Sequence, residues 1–244
     1  MRNALALSGS VAERERTLDL GRLPGRRRLP AAILIGLSLS VLALSLVVLM
    51  TAASAADKVA ELGSVLGELR TGGFVIYFRH GATDQTGPSD EAADLAKCET
   101  QRNLSAQGRE QATQIGQAFR RLGIPVGAVT VSPFCRTKDT ARLAFGRFTA
   151  SDDLSPATGT SATEAKRLAD AMRQMLSTPP ARATNAVIVS HSSILREASG
   201  IWPKPEGVAY IFRPLPNGQF EAVAKVLPED WVKAAGLTPS RGRR

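Results

Sequence analysis

Downstream of residue 56 the chain alternates short apolar runs with stretches of helical apolar spacing. The runs 74–78, 126–131 and 186–190 are rich in Val, Ile and Phe and are bounded by Gly or polar residues. That pattern predicts buried strands. Residues 208–212 and 220–226 predict two later strands joined by the turn Pro216-Asn217-Gly218. Between the runs, Val59, Leu62, Val65, Leu66 and Leu69 share one helical face, and Gly72-Gly73 ends that helix. Ser105 predicts the cap of a helix reaching Leu122, with Gly123 as its stop. Pro133 ends the second strand, and residues 136–145 predict the next helix. Ser161 and Glu164 have the spacing of a capping box for a helix to Leu176, which Thr178-Pro179-Pro180 breaks. Short helices are predicted over 194–199 and from Pro228. Residues 82–102 are polar and rich in Gly, Pro, Asp and Thr, the composition of a loop or lid, and 149–160 reads as an irregular connection. Alternating strands and helices predict an α/β fold, a three-layer α/β/α sandwich with a mostly parallel central sheet.

The N-terminal quarter follows a different rule. Residues 31–50 are apolar or small and carry no charge. Arg26-Arg27-Arg28 precede them and Ala53-Ser54-Ala55 follow. This order of basic flank, apolar core and small-residue site is that of an export signal. The run is also long enough to span ~30 Å of hydrocarbon. The chain therefore divides into a basic N-terminal region (1–30), a signal peptide or signal anchor (31–55) and a globular domain (56–244). The domain is expected outside the cytoplasm, in the periplasm, either free after cleavage or anchored to the inner membrane.

Charge refines this picture only slightly. The net charge is +9, and the first thirty residues hold seven arginines against three acidic residues. What remains on the domain is a modest positive field that favours anionic substrates. Basic residues without interleaved aromatics do not make a nucleic-acid surface. Cys98 and Cys135 are the only cysteines. In an oxidising compartment they are expected to bridge, with two reduced, part-buried thiols as the alternative.

Both histidines of the chain stand at strand exits. Arg79-His80-Gly81 follows the first run, and Ser190-His191-Ser192 ends the third. Ligands of open α/β sheets sit beyond the carboxyl ends of the strands. The segment from Ser132 to Ala141 puts Arg136 in the first turn of a helix beside another strand end. Free N–H groups, the helix dipole and a guanidinium there favour an anion. Two well-separated histidines without a carboxylate cluster give no metal site.

Taken together, Arg79-His80-Gly81, Leu104-Ser105-Ala106-Gln107-Gly108 with Gln111-Ala112, Ser132 through Ala141, and Ser190-His191 resemble the histidine phosphatase superfamily, which includes the cofactor-dependent phosphoglycerate mutases. The resemblance covers residues 73–231. It implies a phosphoglycerate mutase-like fold with no cofactor. It implies His80 as nucleophile, with Arg79, Arg136 and His191 holding the phosphoryl group. Gly81 is expected to allow close backbone approach, and Thr83 and Ser192 are candidate donors to phosphate. The residue after His191 is Ser192, not the Asp or Glu of the acid-phosphatase branch, so the proton donor is open. Asp153 (with its neighbour Asp152), Glu164 and Asp84 are the candidates, although Glu164 is also explained as a helix cap. The expected activity is exported phosphomonoester hydrolysis through a phosphohistidine on His80. The expected substrate is a phosphorylated small molecule or glycan, and the membrane is involved only through the N-terminal segment. A mutase-like phosphotransferase and a non-catalytic phosphosugar-binding module are the alternatives.

Overall fold

Strand β1 (Val75–Arg79) sends alternate side chains into two separate cores, which is why the domain has three layers. Ile76 and Phe78 enter one core, and Val75 and Tyr77 enter the other. The structure, a computed structural model, describes residues 61–238. The basic region 1–30 and the expected export segment 31–55 lie outside the described residues. Within the described residues no helix is long and apolar enough to cross a membrane.

Six strands form one sheet: β1, β2 (Val126–Val131), β3 (Thr149–Ala150), β4 (Asn185–Ser190), β5 (Ala209–Leu215) and β6 (Gln219–Val226). Their spatial order is β3-β2-β4-β1-β5-β6. The pairings from β3 through β1 are parallel, and β5 and β6 add an antiparallel edge. The sheet is the mostly parallel one that the alternating pattern predicts. Helices α1 (Leu62–Leu69), α2 (Ala106–Leu122), α3 (Cys135–Phe145) and α6 (Pro228–Ala234) cover one face. Helices α4 (Ala162–Ser177) and α5 (Ser192–Ser199) cover the other.

Several boundaries depart from the sequence pattern for local reasons. Thr149–Ala150, expected in an irregular connection, pairs with β2 as a short edge strand. Strand β5 runs past Pro214 because its pairing with β1 stops at Phe212, opposite Val75, the first residue of β1, so the missing N–H leaves no ladder bond open on that side. Ser105 and Ser161 cap α2 and α4 through their hydroxyls. The expected capping box at α4 is only half formed, because the Glu164 carboxylate turns to Arg167 rather than back to Ser161. Buried Asn185 ties three elements together at the base of the sheet. Its amide donates to Leu69 and Pro125 carbonyls, and its carbonyl accepts from the Phe74 N–H. Satisfying every one of these groups is what makes a buried amide stabilising rather than costly.

Candidate active site

The site forms where β1 and β4 end side by side. Their parallel register sets Arg79 opposite Ser190, so the two histidines that follow emerge together. The ring centroids of His80 and His191 are 5.5 Å apart. Strand β2 lies on the other side of β4, and Ser132 continues it with an N–H bond to the Val189 carbonyl. The chain then turns through Phe134 into α3, which sets Arg136 in the first turn, 3 % exposed and beside His191. Adjacent parallel strands thus gather residues that are far apart in sequence.

Each imidazole has a tautomer fixed by its neighbours. His80 Nδ1 is 2.9 Å from the Gly81 carbonyl oxygen. A carbonyl only accepts, so Nδ1 carries the proton and Nε2 keeps a free lone pair. His191 is the reverse. Arg136 Nη2 donates to its Nδ1 at 3.1 Å, and its Nε2 lies 2.8 Å from Ser132 Oγ. A guanidinium only donates, so the His191 proton is on Nε2. Burial, and after it the Arg136 guanidinium, holds both rings well below the usual histidine range. Both are neutral at neutral pH. The Tyr77 hydroxyl donates to the His191 carbonyl, which fixes the strand exit from beneath.

Two carboxylates that the sequence pattern does not single out meet the two arginines. Glu206 accepts from Arg79 Nη2 at 3.0 Å and from the Thr83 N–H at 2.8 Å. It also accepts from Thr83 Oγ1 at 3.0 Å. Asp90 accepts from Arg136 Nη1 at 2.9 Å. The Nε atoms of Arg79 and Arg136 are buried without a protein partner. Asp90 lies in a polar loop and Glu206 in a proline-containing one, neither with a motif, so only the packed fold reveals them.

Of the other predicted site residues, Gly81 is in tight quarters. A Cβ there would stand 2.9 Å from the Gly108 carbonyl, where α2 abuts the loop after β1. Thr83 is buried, but its hydroxyl and N–H are directed at Glu206. Ser192 is the first residue of α5, directly after His191. The proton-donor candidates are not brought to the histidines. Asp153 and Glu164 both bond Arg167 on α4, a surface trio that holds the acids at that helix. Asp84 is exposed, and its Oδ1 accepts from both the hydroxyl and the N–H of Thr86. Asp152 is exposed at the start of the turn after β3.

Cys98 and Cys135 are joined by a disulfide, with Cα atoms 5.7 Å apart. The bond ties the loop after β1 to the start of α3. Buried Gln101 adds a second tie, its side-chain oxygen accepting from the Cys135 N–H at 2.8 Å. No group of three His, Cys, Asp or Glu residues spaced to hold a metal occurs among the described residues.

Two neutral imidazoles and two guanidiniums at the carboxyl end of an α/β sheet offer the donors and the nucleophile that a phosphoryl group requires. Residues 75–156 match the model of the histidine phosphatase superfamily (branch 1), a span that contains Arg79, His80 and Arg136. Over that span the chain is similar to the superfamily. Among solved structures it is similar to an open-reading-frame product of Mycobacterium tuberculosis, at 19% identity over 64% of this chain and 97% of that one, with a TM-score of 0.47. It is also similar to the protein histidine phosphatase SixA complexed with tungstate, at 15% identity over 64% and 98%, with a TM-score of 0.44. A phosphoserine phosphatase of Entamoeba histolytica is similar at 12% identity over 64% and 98%, with a TM-score of 0.46. No curated protein matches.

Proposed function

We propose that this protein is an exported phosphomonoesterase that hydrolyses a phosphorylated small molecule or glycan through a phosphohistidine on His80. The observation that carries the reading is the free Nε2 of His80, fixed by the Nδ1–carbonyl bond and set among Arg79, Arg136 and His191. A dianionic phosphoryl group bound there receives donors from both guanidiniums, including the two unpartnered Nε–H groups. His191 contributes its Nε2–H by leaving Ser132. These donors stabilise charge on the equatorial oxygens as His80 attacks in line. The P–N bond forms as the ester P–O bond breaks, and water then displaces the imidazole.

Export rests on the basic flank, apolar run and Ala-Ser-Ala element of the first 55 residues. The Cys98–Cys135 bond supports it, since disulfides persist in oxidising compartments. We read 31–55 as a cleaved signal, with a retained inner-membrane anchor as the second form.

The decisive experiment is incubation with a radiolabelled phosphate ester and quenching in base. Acid-labile phosphate is expected on His80 in the parent protein and on nothing in His80→Ala, which loses turnover. Near-full turnover without His80 would sink the mechanism. Transfer of label to a second acceptor instead of water would make the protein a phosphotransferase.

A further inference from the structure

The hydrolytic reading leaves one proton unassigned, the one that the departing alkoxide needs. Four other carboxylates are disqualified by where they sit and what they touch. Asp153 and Glu164 are held at α4 by Arg167, and Asp84 is exposed with its Oδ1 turned to Thr86 and no contact to either arginine of the site. Glu206 has both oxygens filled by Arg79 and Thr83, one of them by a backbone N–H that stays in place whatever binds. With both oxygens committed in this way, Glu206 positions Arg79.

Asp90 differs in that only one of its oxygens is firmly held. Its Oδ1 takes the Arg136 Nη1–H at 2.9 Å and the Arg102 N–H at 3.2 Å. Its Oδ2 has only a loose ion pair, 3.9 Å from Arg102 Nη2. The Arg136 donor it occupies is one that a phosphoryl oxygen needs. The Asp90 side chain is 27% exposed, so it can move aside without leaving a void. Its loop is nevertheless tied at Cys98 and Gln101, so it cannot go far.

Building on the phosphatase reading, we infer that Asp90 is the general acid and base of this site, and that the substrate itself charges it with the proton. In the empty site Asp90 is a carboxylate held by Arg136. An incoming phosphate dianion takes the guanidinium and leaves the carboxylate beside a like charge. Repulsion between neighbouring anions favours the protonated form, so Asp90 takes up a proton from solvent. His80 Nε2 then bonds to phosphorus. The ester P–O bond breaks, its electron pair goes to the leaving oxygen, and that oxygen takes the Asp90 proton. In the second step Asp90 accepts a proton from water as the water oxygen bonds to phosphorus. The P–N pair returns to His80. Asp90 gives up its proton once phosphate departs and re-forms its bond to Arg136, which helps to expel product.

The test compares an alkyl phosphate with a p-nitrophenyl phosphate in Asp90→Asn and Asp90→Glu, with full-length protein. An acid matters most where the leaving group is poor, so the alkyl-to-aryl ratio of kcat/KM is expected to fall by about 10²–10³-fold in Asp90→Asn. Asp90→Glu is expected to retain more of that ratio. With the aryl ester, Asp90→Asn is expected to accumulate phosphohistidine, because the base for its hydrolysis is gone. Equal losses on both esters, with no accumulation, would assign Asp90 a merely structural role and overturn the inference while the phosphatase reading stands. A parent protein inactive on both esters would overturn the phosphatase reading, and this inference with it.

Discussion

Arg136 Nη2 faces His191 Nδ1 at 3.1 Å, so the second histidine of the site is locked in the tautomer opposite to that of His80. Nothing else in the chain competes in an imidazole spectrum, because there are two histidines in all. Nitrogen NMR is expected to show one ring protonated on Nδ1 and the other on Nε2, both neutral at pH 6.5, the ordinary histidine midpoint. The same tautomer in both rings, or a charged ring at that pH, would contradict the assignment.

Acid stability follows from the same burial. The folded rings sit below 6.5, whereas unfolded ones titrate near it. As pH falls below about 6.5 the unfolded state binds more protons, so stability is lost. Two such groups give a slope of at most about 2.7 kcal/mol per pH unit. Urea unfolding between pH 7 and 5 reads it. His80→Asn is expected to lower the slope by one proton's share, and an unchanged slope would remove His80 from the account.

Arg136 makes three directed contacts at once, to Asp90, the Arg102 carbonyl and His191. A lysine offers a point charge in place of that fork. Arg136→Lys is therefore expected to lose kcat/KM nearly as far as Arg136→Ala, roughly 10²–10³-fold. Restoration of activity by lysine would mean that charge alone suffices there.

Glu206→Gln keeps the shape of the side chain but removes the charge that holds Arg79. Hydrogen bonds to charged groups contribute about 1.5–3 kcal/mol, so a fall of roughly 10–100-fold in kcat/KM is expected. It should come with weaker inhibition by vanadate, because a loosened Arg79 binds an anion less well. Unaltered vanadate affinity would detach Glu206 from the clamp.

The Cys98–Cys135 bond closes a loop with a sequence separation of 37. In the chain-entropy model a loop of that size contributes about 3–4 kcal/mol. Replacing both cysteines with serine should lower the unfolding midpoint and, by freeing the segment after β1, reduce turnover. Calorimetry with and without a dithiol reductant checks the stability part. A midpoint indifferent to reductant would show that the packed loop holds without its bond.

The strands and the clamp were legible because each is a local pattern. A β-branched run ended by His80 or His191 declares both a buried strand and an exposed end, and Pro133 before Arg136 declares a turn into a helix. Asp90 and Glu206 were not legible for the opposite reason. Asp90 lies in an irregular segment with several acidic neighbours, and nothing periodic distinguishes it from Asp84 or Asp94, while Glu206 stands alone in a proline-containing stretch that carries no motif. Only the tertiary approach of Arg136 and Arg79 singles them out. Glu164 misled in the same way. The spacing from Ser161 was right for a cap, but Arg167 one turn on offered its carboxylate a charged partner. Gly108 was legible as part of a motif but not in its physical reason, which is that the chain after His80 crosses it too closely for any side chain.

The pairing of Arg79 with Ser190 has a consequence for how this protein can change. The distance between nucleophile and second imidazole is not adjusted by the residues around the substrate. It is inherited from the match between two greasy stripes, since Val75, Tyr77 and Ile188 serve one core while Ile76, Phe78, Val187 and Val189 serve the other. A slip by one position would invert every one of those side chains and shift one histidine by about 3.3 Å. Any mutation that blurs the inside-outside sorting of β1 or β4 is thus also a mutation of reactivity, even far from the ester. The loops that meet the rest of the substrate carry no such constraint. They are free to diversify around a reacting pair whose spacing is set by the need to keep oil from water.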